Sequence, residues 1–338
     1  MKRAVTLAAL VSAAPTAYLL AQLAAAVQGS RRPPPPRTGA APRIAVVVPA
    51  HDEEEAIAAA VRSLAAAGSE NTIVVADNCT DATAERARAA GATVWERHDP
   101  ERPGKGRALA WAFERIGRDD ADAVAVVDAD CIVSENLLVS YGARLAVGAR
   151  ALQASYMVLN PEDSPAAAAR YAGYALVNHV RPLGRATLGL SCGLTGSGMA
   201  FALDLLRKHP WDAFDVTEDS EYHLRLVEAG ERVEFVPEAR VESAMPVTLA
   251  AAATQRERWE SGGFELARGA ALRLIAQGAG RRDPSALNAG IELLIPPQSL
   301  LLAANLATTA AAIVLRAPLA RRAAAFGLAG QVVYVLGG

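Results

Sequence analysis

The amino-acid sequence predicts an α/β protein with a doubly wound, mostly parallel sheet. Three observations support this fold class. Its 338 residues are enough for a sizeable core. Between Arg43 and about Val241, short β-branched runs alternate with stretches of helical composition, the pattern of strands linked by crossover helices. Acidic residues follow several of the predicted strands, and parallel sheets bind ligands at the carboxyl ends of their strands.

The predicted elements alternate along the first half of this region. Runs rich in Val and Ile, such as I-A-V-V-V-P, predict the strands 44–49, 72–76, 93–96 and 123–128. The intervening Ala- and Glu-rich stretches predict the helices 53–67, 81–90 and 107–116. The second of these helices begins with Asp81 and ends before Gly91, as helix start and stop signals require.

Charge and cysteine content exclude some classes of protein. Lys and Arg number 34 against 36 Asp and Glu, a net charge of −2, so no nucleic-acid partner is expected. The 3 cysteines are few, odd in number and far apart. They favour reduced thiols facing the cytosol over a secreted disulfide framework.

The N-terminal residues 4–27 carry no charge and are long enough to cross a bilayer. The alternative is a cleaved signal peptide, with residues 1–3 as its basic region and 24–26 as the cleavage site. Arginines after the segment outnumber the two basic residues before it, which places the following domain in the cytoplasm. These arginines are Arg31, Arg32, Arg37 and Arg43, and most belong to a stiff Pro-rich spacer.

The C-terminal region is also apolar, and a membrane span is expected from about Gln298 to Leu315. A full crossing would place three following arginines outside, against the positive-inside rule. The alternative is a re-entrant hairpin broken at Pro296-Pro297. The last apolar run, 323–338, resembles the start of a further span that would continue beyond residue 338.

Residues 266–282 place apolar side chains on one side and four arginines among them. This pattern predicts an interfacial helix on an anionic membrane surface, with a helix packed on the domain as the alternative. The chain thus divides into an N-terminal transmembrane helix, an Arg/Pro-rich linker, a catalytic domain, an amphipathic helix and C-terminal membrane segments. The predicted bounds are 1–30, 31–43, 44–265, 266–285 and 286–338.

Asp128 and Asp130 lie one residue apart at the end of an apolar run, V-V-D-A-D-C-I-V. Side chains at i and i+2 of an extended chain point the same way, so the two carboxylates would repel unless a cation lay between them. Oxygen ligands of this kind suit Mg²⁺ or Mn²⁺ shared with a diphosphate. Asp77 ends the second predicted strand in the same manner, although a turn explains that residue equally well.

Phosphate-binding signatures of the usual kinds are absent from the sequence. There is no G-x-x-x-x-G-K-[ST] motif, so a P-loop protein is excluded. P-G-K-G at 103–106 places Lys105 before a predicted helix, where it could contact an anion or be an ordinary loop lysine.

Taken together, these motifs resemble the family 2 glycosyltransferases, which are inverting enzymes of the GT-A fold. The resemblance covers about Arg43 to Gly263 and is greatest for membrane-attached members: the cellulose, chitin and hyaluronan synthases and the ceramide glucosyltransferases. It implies that P-A-H-D-E-E (49–54), Asp77 and D-A-D contact the nucleotide sugar, with His51 standing where Asn is commoner. The implied nucleotide-sugar contacts are Pro49, Ala50, His51, Glu53, Asp77, Lys105, Asp128, Ala129 and Asp130.

The same resemblance implies the remaining roles. Asp219 of T-E-D would be the general base, which removes a hydroxyl proton as the acceptor attacks the anomeric carbon. T-G-S-G-M-A-F (195–201) resembles an acceptor-side loop, and His223 would lie on the helix face of Asp219. Asp128 and Asp130 would hold Mn²⁺ or Mg²⁺. The implied diphosphate and acceptor contacts are Gln255, Arg256, Arg258, Trp259 and Glu218.

The sequence therefore predicts a multi-pass protein of the inner membrane with a cytoplasmic catalytic domain. It would move a sugar from a nucleotide sugar, expected to be a UDP-sugar, to a lipid or a growing glycan. Two alternatives remain for the catalytic domain: a processive polysaccharide synthase that exports its product, and an inactive nucleotide-sugar-binding scaffold. A secreted binding protein is a third, and it requires that residues 4–27 be removed.

Overall fold

The fold is built around one eight-stranded mixed sheet. This computed structural model describes residues 1–34, 36, 42–117, 121–215, 217–244 and 269–338. The strands are β1 (Ile44–Ala50), β2 (Thr72–Asp77), β3 (Thr93–Arg97), β4 (Ala123–Val126), β5 (Cys131–Val133), β6 (Ala151–Val158), β7 (Met199–Ala202) and β8 (Val233–Ser243). Their order across the sheet is β3-β2-β1-β4-β7-β6-β8-β5.

One half of the sheet is parallel, as expected, and the other is mixed. Strands β3, β2, β1 and β4 run parallel to one another. Strand β7 then joins β4 antiparallel, and β6 and β5 add two further antiparallel pairings, while β6 and β8 are parallel. The parallel half follows from the crossover helices between its strands. The antiparallel pairs are a finding that the sequence did not predict.

Helices cover both faces of the sheet. The described helices of the central domain are α2 (Ile57–Ala66), α3 (Thr83–Ala89), α4 (Lys105–Arg115), α5 (Leu137–Ala146), α6 (Pro165–Ala175), a π-helical turn (Leu176–Val180), α7 (Arg181–Thr187), α8 (Leu203–Lys208) and α9 (Glu218–Glu228). Helices α2 and α5 pack on one face of the sheet through Ile57, Leu64 and Tyr141. Helices α4 and α9 pack on the other through Leu109 and Tyr222.

Two predicted bounds differ from the structure near the strand ends. The first helix begins at Ile57 rather than at residue 53, because the backbone N–H groups of Glu53 and Glu54 donate to side chains of the 81–83 turn. Strand β4 ends at Val126, so Asp128 and Asp130 lie in a turn and not in an extended strand. The prediction of extended geometry at these two aspartates is wrong.

Four helices and the described part of a fifth lie outside the central domain. They are α1 (Lys2–Gly29), α10 (described over residues 269–281), α11 (Pro284–Glu292), α12 (Gln298–Val314) and α13 (Pro318–Gly337). Among the described residues, α1 is the one helix both long and apolar enough to cross a membrane. Helix α12 follows the predicted segment but has 17 residues, about 26 Å at 1.5 Å per residue, against a hydrocarbon thickness of about 30 Å.

Helix α10 contacts the central domain. Ala270 and Leu274 are buried against Leu224 and Val227 of α9. The packed helix that the sequence left open as an alternative is therefore present, and contact of its other face with a membrane stays a prediction. The fivefold division of the chain also stays a prediction.

The N-terminal helix approaches the central domain closely at Gly184. Leu19 and Leu23 of α1 are buried in the same cluster as Leu183 of α7. A Cβ atom at Gly184 would lie 2.3 Å from the carbonyl oxygen of Gln22. Any larger side chain would push the two helices apart, since protein interiors have little free volume.

We expect Gly184→Ala to destabilise the protein by about 1–3 kcal/mol, the usual cost of overpacking. The matched control is Gly173→Ala in α6, where a Cβ would meet no atom within 4 Å. There the same change should stabilise by about 0.5–1 kcal/mol, because alanine favours a helix over glycine. Thermal unfolding of both variants checks the pair. Equal shifts of the melting temperature in the two variants would show that α1 does not pack tightly against α7.

Candidate active site

The carboxyl ends of β1, β2 and β4 meet on one side of the sheet and bring acidic side chains together. Asp128 and Asp130 follow β4 in a turn closed by a hydrogen bond of 3.1 Å from the Cys131 N–H to the Asp128 carbonyl. The Asp128 N–H donates to Ser197 Oγ at 3.0 Å, and Ser243 Oγ donates to Asp130 Oδ2 at 3.2 Å. The turn therefore directs both carboxylates into one cleft.

Lys105 supplies the positive charge within this cleft. Its Nζ atom lies 2.5 Å from Asp128 Oδ1 and 3.8 Å from Glu218 Oε1, and it donates to the Gly196 carbonyl at 2.9 Å. Burial opposes the charge, but the carboxylates of Asp128 and Glu218 raise the pKa of Lys105 overall. The lysine is thus a charged group that joins β4, α9 and the 195–198 loop, and not an ordinary surface residue.

Asp77 holds the loop that carries Lys105. Its carboxylate is buried and contacts Arg97 Nη1 at 2.5 Å. The other oxygen accepts from the Gly104 N–H at 3.3 Å, one residue before Lys105. The sequence did not predict a site role for Arg97. It is the last residue of β3, a strand with several polar residues, and nothing in that pattern distinguishes it from a surface arginine. Contact between Asp77 and a nucleotide stays a prediction.

The loop after β1 forms another side of the site. Pro49 and Ala50 end β1, and His51 Nδ1 lies 2.7 Å from the Asp77 carbonyl oxygen. Asp52 has a φ of 54°, a left-handed conformation that non-glycine residues seldom adopt. Glu53 is partly buried, and burial followed by the charges of Asp130 and Asp128 raises its pKa. Glu53 therefore lies near enough to the acidic turn to be affected by its charge, and its contact with a nucleotide sugar stays a prediction.

Glu218 and Asp219 begin helix α9, where the helix dipole favours negative charge. The Ser220 N–H donates to Asp219 Oδ1 at 2.6 Å. Burial raises the pKa of Asp219, and the charge of Lys105 opposes this rise. Burial likewise raises the pKa of Glu218 to about 7. A Cβ at Gly196 would lie 3.4 Å from Asp219 Oδ2, so the 195–198 loop packs directly on this carboxylate.

The acidic turn offers a donor set that suits a divalent cation. Ligand atoms of Asp128, Asp130 and Cys131 all lie within 4.8 Å of one another. Two carboxylates match the oxygen preference of Mg²⁺ and Mn²⁺. Burial raises the pKa of the Cys131 thiol well above its usual range, which disfavours the thiolate as a ligand. The residues present therefore fit a hard cation held by Asp128 and Asp130.

The other predicted residues fall into two groups. His223 lies on α9 but is buried, with Nε2 at 2.9 Å from Ser191 Oγ, and burial lowers its pKa to about 3. It is a buried residue, and no hydrogen bond or ion pair with Asp219 is seen among the described residues. The Q-R-E-R-W residues Gln255, Arg256, Arg258 and Trp259 lie outside the described residues. Ser197 and Ser243, which orient the acidic turn, were not predicted, since single serines carry no distinctive pattern.

Comparison with protein families gives a match over most of the central domain. The model of a family described as glycosyltransferase like family 2 matches residues 42–262. This range contains every predicted site residue. A search of curated proteins found no match.

Solved structures resemble the fold. A mannosyltransferase from Pyrobaculum calidifontis, in complex with GDP-Man and Mn²⁺, is 20% identical, with 99% of each chain covered and a TM-score of 0.61. A glucosyl-3-phosphoglycerate synthase from Mycobacterium tuberculosis, with Mn²⁺, UDP and phosphoglyceric acid, is 23% identical over 63% of this chain and 74% of that chain, with a TM-score of 0.45. The first likeness shows that the fold is shared.

The raised pKa of Glu218, about 7 against an ordinary 4.5, makes stability depend on pH. Between those values the unfolded chain ionises while the folded protein stays protonated, so stability falls as pH rises and the loss is complete above about pH 7. We expect Glu218→Gln to raise the free energy of unfolding at pH 8 by up to about 3 kcal/mol, since one pKa unit corresponds to about 1.36 kcal/mol. At pH 4 the same substitution should change the free energy of unfolding little. Denaturant titrations at both pH values measure this.

Glu101→Gln is the control. Because Glu101 is exposed, this substitution should have the same effect on the free energy of unfolding at both pH values. An equal effect of Glu218→Gln at pH 4 and pH 8 would contradict the assignment.

Proposed function

The chain belongs to glycosyltransferase-like family 2, and we propose that it is a membrane-bound inverting enzyme. It transfers a sugar from a nucleotide sugar to a lipid or glycan acceptor, with a divalent metal and with Asp219 as general base. The observation that carries this proposal is the cleft itself. A paired carboxylate site at the end of β4 faces a buried carboxylate at the start of α9, and Lys105 lies between them.

Asp128 and Asp130 are the proposed metal ligands. When bound, Mn²⁺ or Mg²⁺ would neutralise part of the negative charge that develops on the leaving diphosphate. Both ions occur in the solved complexes reported above. The mannosyltransferase was solved with Mn²⁺, and a further complex of the mycobacterial synthase contains Mg²⁺. Lys105 would contribute a second positive charge, released from Asp128 to the phosphates when the carboxylate binds a metal.

Asp219 is the proposed proton acceptor. Its partly buried position and raised pKa suit a general base. The acceptor hydroxyl gives its proton to Asp219 while its oxygen bonds to the anomeric carbon. The bond from that carbon to the diphosphate breaks, and its electron pair leaves with the nucleoside diphosphate. Attack from the side opposite the leaving group inverts the anomeric configuration.

The donor is proposed to be a UDP-sugar, with Pro49, Ala50, His51, Glu53, Asp77 and Ala129 around the nucleotide. A GDP-sugar is the alternative, because the mannosyltransferase that shares the fold was solved with GDP-Man. Arg256 and Arg258 are proposed to hold the diphosphate, with Gln255, Glu218 and Trp259 on the acceptor side. The chain that leads toward these residues leaves β8 at Ser243, whose hydroxyl contacts Asp130.

A membrane location is proposed from both ends of the chain. Helix α1 is long and apolar enough to cross a bilayer, and α12 and α13 pack against it. The arginines after α1 favour a cytoplasmic catalytic domain. A full crossing by α12 is proposed over a re-entrant hairpin. A processive synthase that exports its product is the alternative within the family, and an inactive scaffold is a weaker one.

Asp130→Asn should abolish transfer, because one of the two carboxylate ligands for the metal is lost. Excess EDTA should do the same to the wild-type protein, and Mn²⁺ or Mg²⁺ should restore it. Release of nucleoside diphosphate from labelled donor sugars is the measurement, with the exposed Glu135→Gln as the control variant. Full activity in EDTA would exclude the metal.

Asp219→Asn should lower the transfer rate by about 10²–10⁴, the usual contribution of a general base. Nucleotide affinity should stay within a few fold, because Asp219 contacts the acceptor and not the donor. Calorimetry and a transfer assay measure the two effects. Loss of nucleotide binding along with activity would make Asp219 a donor ligand, and a larger rate loss in Glu218→Gln than in Asp219→Asn would move the base to Glu218.

Single cysteines introduced at positions 40 and 320 should report the topology through an impermeant thiol reagent in intact cells. We expect no labelling at 40, because the catalytic domain is proposed to be cytoplasmic, and labelling at 320 if α12 crosses fully. Lysed cells provide the control for reactivity. Labelling at 40 would place the catalytic domain outside, and protection at 320 would favour the re-entrant hairpin.

A further inference from the structure

A cavity of about 200 Å³ lies beside the proposed base and separate from the acidic turn. Its walls come from α7, α9, α11 and the loop before Gly196. Ser220 and Thr195 line it, and these residues directly adjoin Asp219 and Gly196 in the chain. The cavity therefore lies next to the chain segments that carry Asp219 and Gly196, while Asp128, Asp130 and Asp219 itself take no part in its lining.

Arg185 in this cavity has almost no partner among the described residues. Its side chain is 12% exposed, and its one ion contact, from Nη1 to Glu292 Oε2, measures 3.8 Å. Its Nε atom is fully buried and makes no hydrogen bond within the described part of the chain. A guanidinium carries five N–H donors, and leaving buried donors unsatisfied is costly. Such a group in a cavity indicates a missing acceptor.

The neighbouring carboxylate cannot supply that acceptor, because it is already engaged. Glu292 Oε2 contacts Arg181, and Oε1 lies 2.6 Å from the Tyr18 hydroxyl and 2.5 Å from Gln22 Nε2. Two arginines against one glutamate leave about one uncompensated positive charge. The Arg181 Nε is likewise buried without a hydrogen bond in the described residues.

Among the described residues, the rest of the lining adds polar groups and no further charge. The Thr195 hydroxyl oxygen is buried without a hydrogen-bond partner in the described structure. His223 lines the same cavity, and burial, assisted by the charge of Arg185, lowers its pKa to about 3, so it is neutral at pH 7. Among the described residues, the cavity therefore presents two guanidinium groups, the already engaged Glu292 carboxylate and the unpartnered Thr195 hydroxyl to one small space.

We propose that this cavity binds a phosphate group carried by the acceptor, an inference that rests on the proposed glycosyltransfer. Several oxygens and a negative charge satisfy both guanidinium groups and the hydroxyl together, as phosphate does in arginine-rich sites. With the phosphate held there, a neighbouring hydroxyl of the same molecule reaches Asp219. That hydroxyl loses its proton to Asp219 and bonds to the anomeric carbon, the nucleoside diphosphate leaves, and the acceptor phosphate is unchanged.

The test uses the full chain in detergent with its donor site filled by UDP and Mg²⁺. Inorganic phosphate and dioctanoyl phosphatidic acid are then titrated in separate calorimetric experiments. Binding of UDP by the wild-type protein tests the proposed function, and binding of the phosphate probes tests this inference, so the two can fail independently. Tighter binding of the lipid by about tenfold or more assigns a lipid phosphate, and equal binding assigns a soluble phosphate ester.

Two variants give the decisive comparison. Arg185→Gln should weaken phosphate binding by at least about tenfold, because a charge-assisted pair of hydrogen bonds is lost. Thr195→Val should weaken it by a few fold and keep the melting temperature, since the hydroxyl it removes has no hydrogen-bond partner in the described structure. Arg232→Gln, an arginine outside the cavity that pairs with Glu234, is the control and should bind phosphate normally.

The inference is overturned if the wild-type protein binds neither probe. It is also overturned if Arg185→Gln and Thr195→Val both bind phosphate as tightly as the wild-type protein does.

Discussion

The ion pair between Lys105 and Asp128 is the interaction on which the cleft depends. Carboxyl groups from the ends of β1 and β4 and from the start of α9 converge on one partly buried space. Burial raises the pKa of Glu53, Asp128 and Glu218, and neighbouring carboxylates add to the rise. Lys105 offsets this repulsion and ties three separate segments together through Asp128, Glu218 and the Gly196 carbonyl. A cleft arranged in this way favours a cationic ligand or a ligand that brings its own cation.

The position of Lys105 in turn depends on Asp77 and Arg97 in the parallel half of the sheet. The Asp77 carboxylate accepts the Gly104 N–H and so holds the start of α4 against β2. Because the Arg97–Asp77 pair is buried, removing either partner would leave an unpaired charge, which is strongly destabilising. Asp77, which the family resemblance assigns to the nucleotide, therefore also has a structural role.

The terminal helices are joined to the central domain by polar contacts. Tyr18 and Gln22 of α1 contact Glu292 at the end of α11, which also pairs with Arg181 of α7. The cavity lined by Arg185 lies at this junction, beside the helix that carries Asp219. Catalysis and anchoring would then share residues, so a phosphate-bearing acceptor could be drawn from the membrane or from the cytosol into one position.

The sequence by itself determined the strands β1 to β3, the crossover helices and the position of Asp128 and Asp130 after an apolar strand, because local periodicity and end signals specify them. It also singled out Lys105 and Asp219 as individual residues. Only the tertiary structure decided the antiparallel pairings in the mixed half of the sheet and the pairing of Lys105 with Asp128. The tertiary structure also placed Arg185 in a cavity where its buried Nε–H has no hydrogen-bond partner among the described residues. The reason is that strand direction, ion pairing and burial arise from contacts between segments far apart in the chain, which no local pattern encodes.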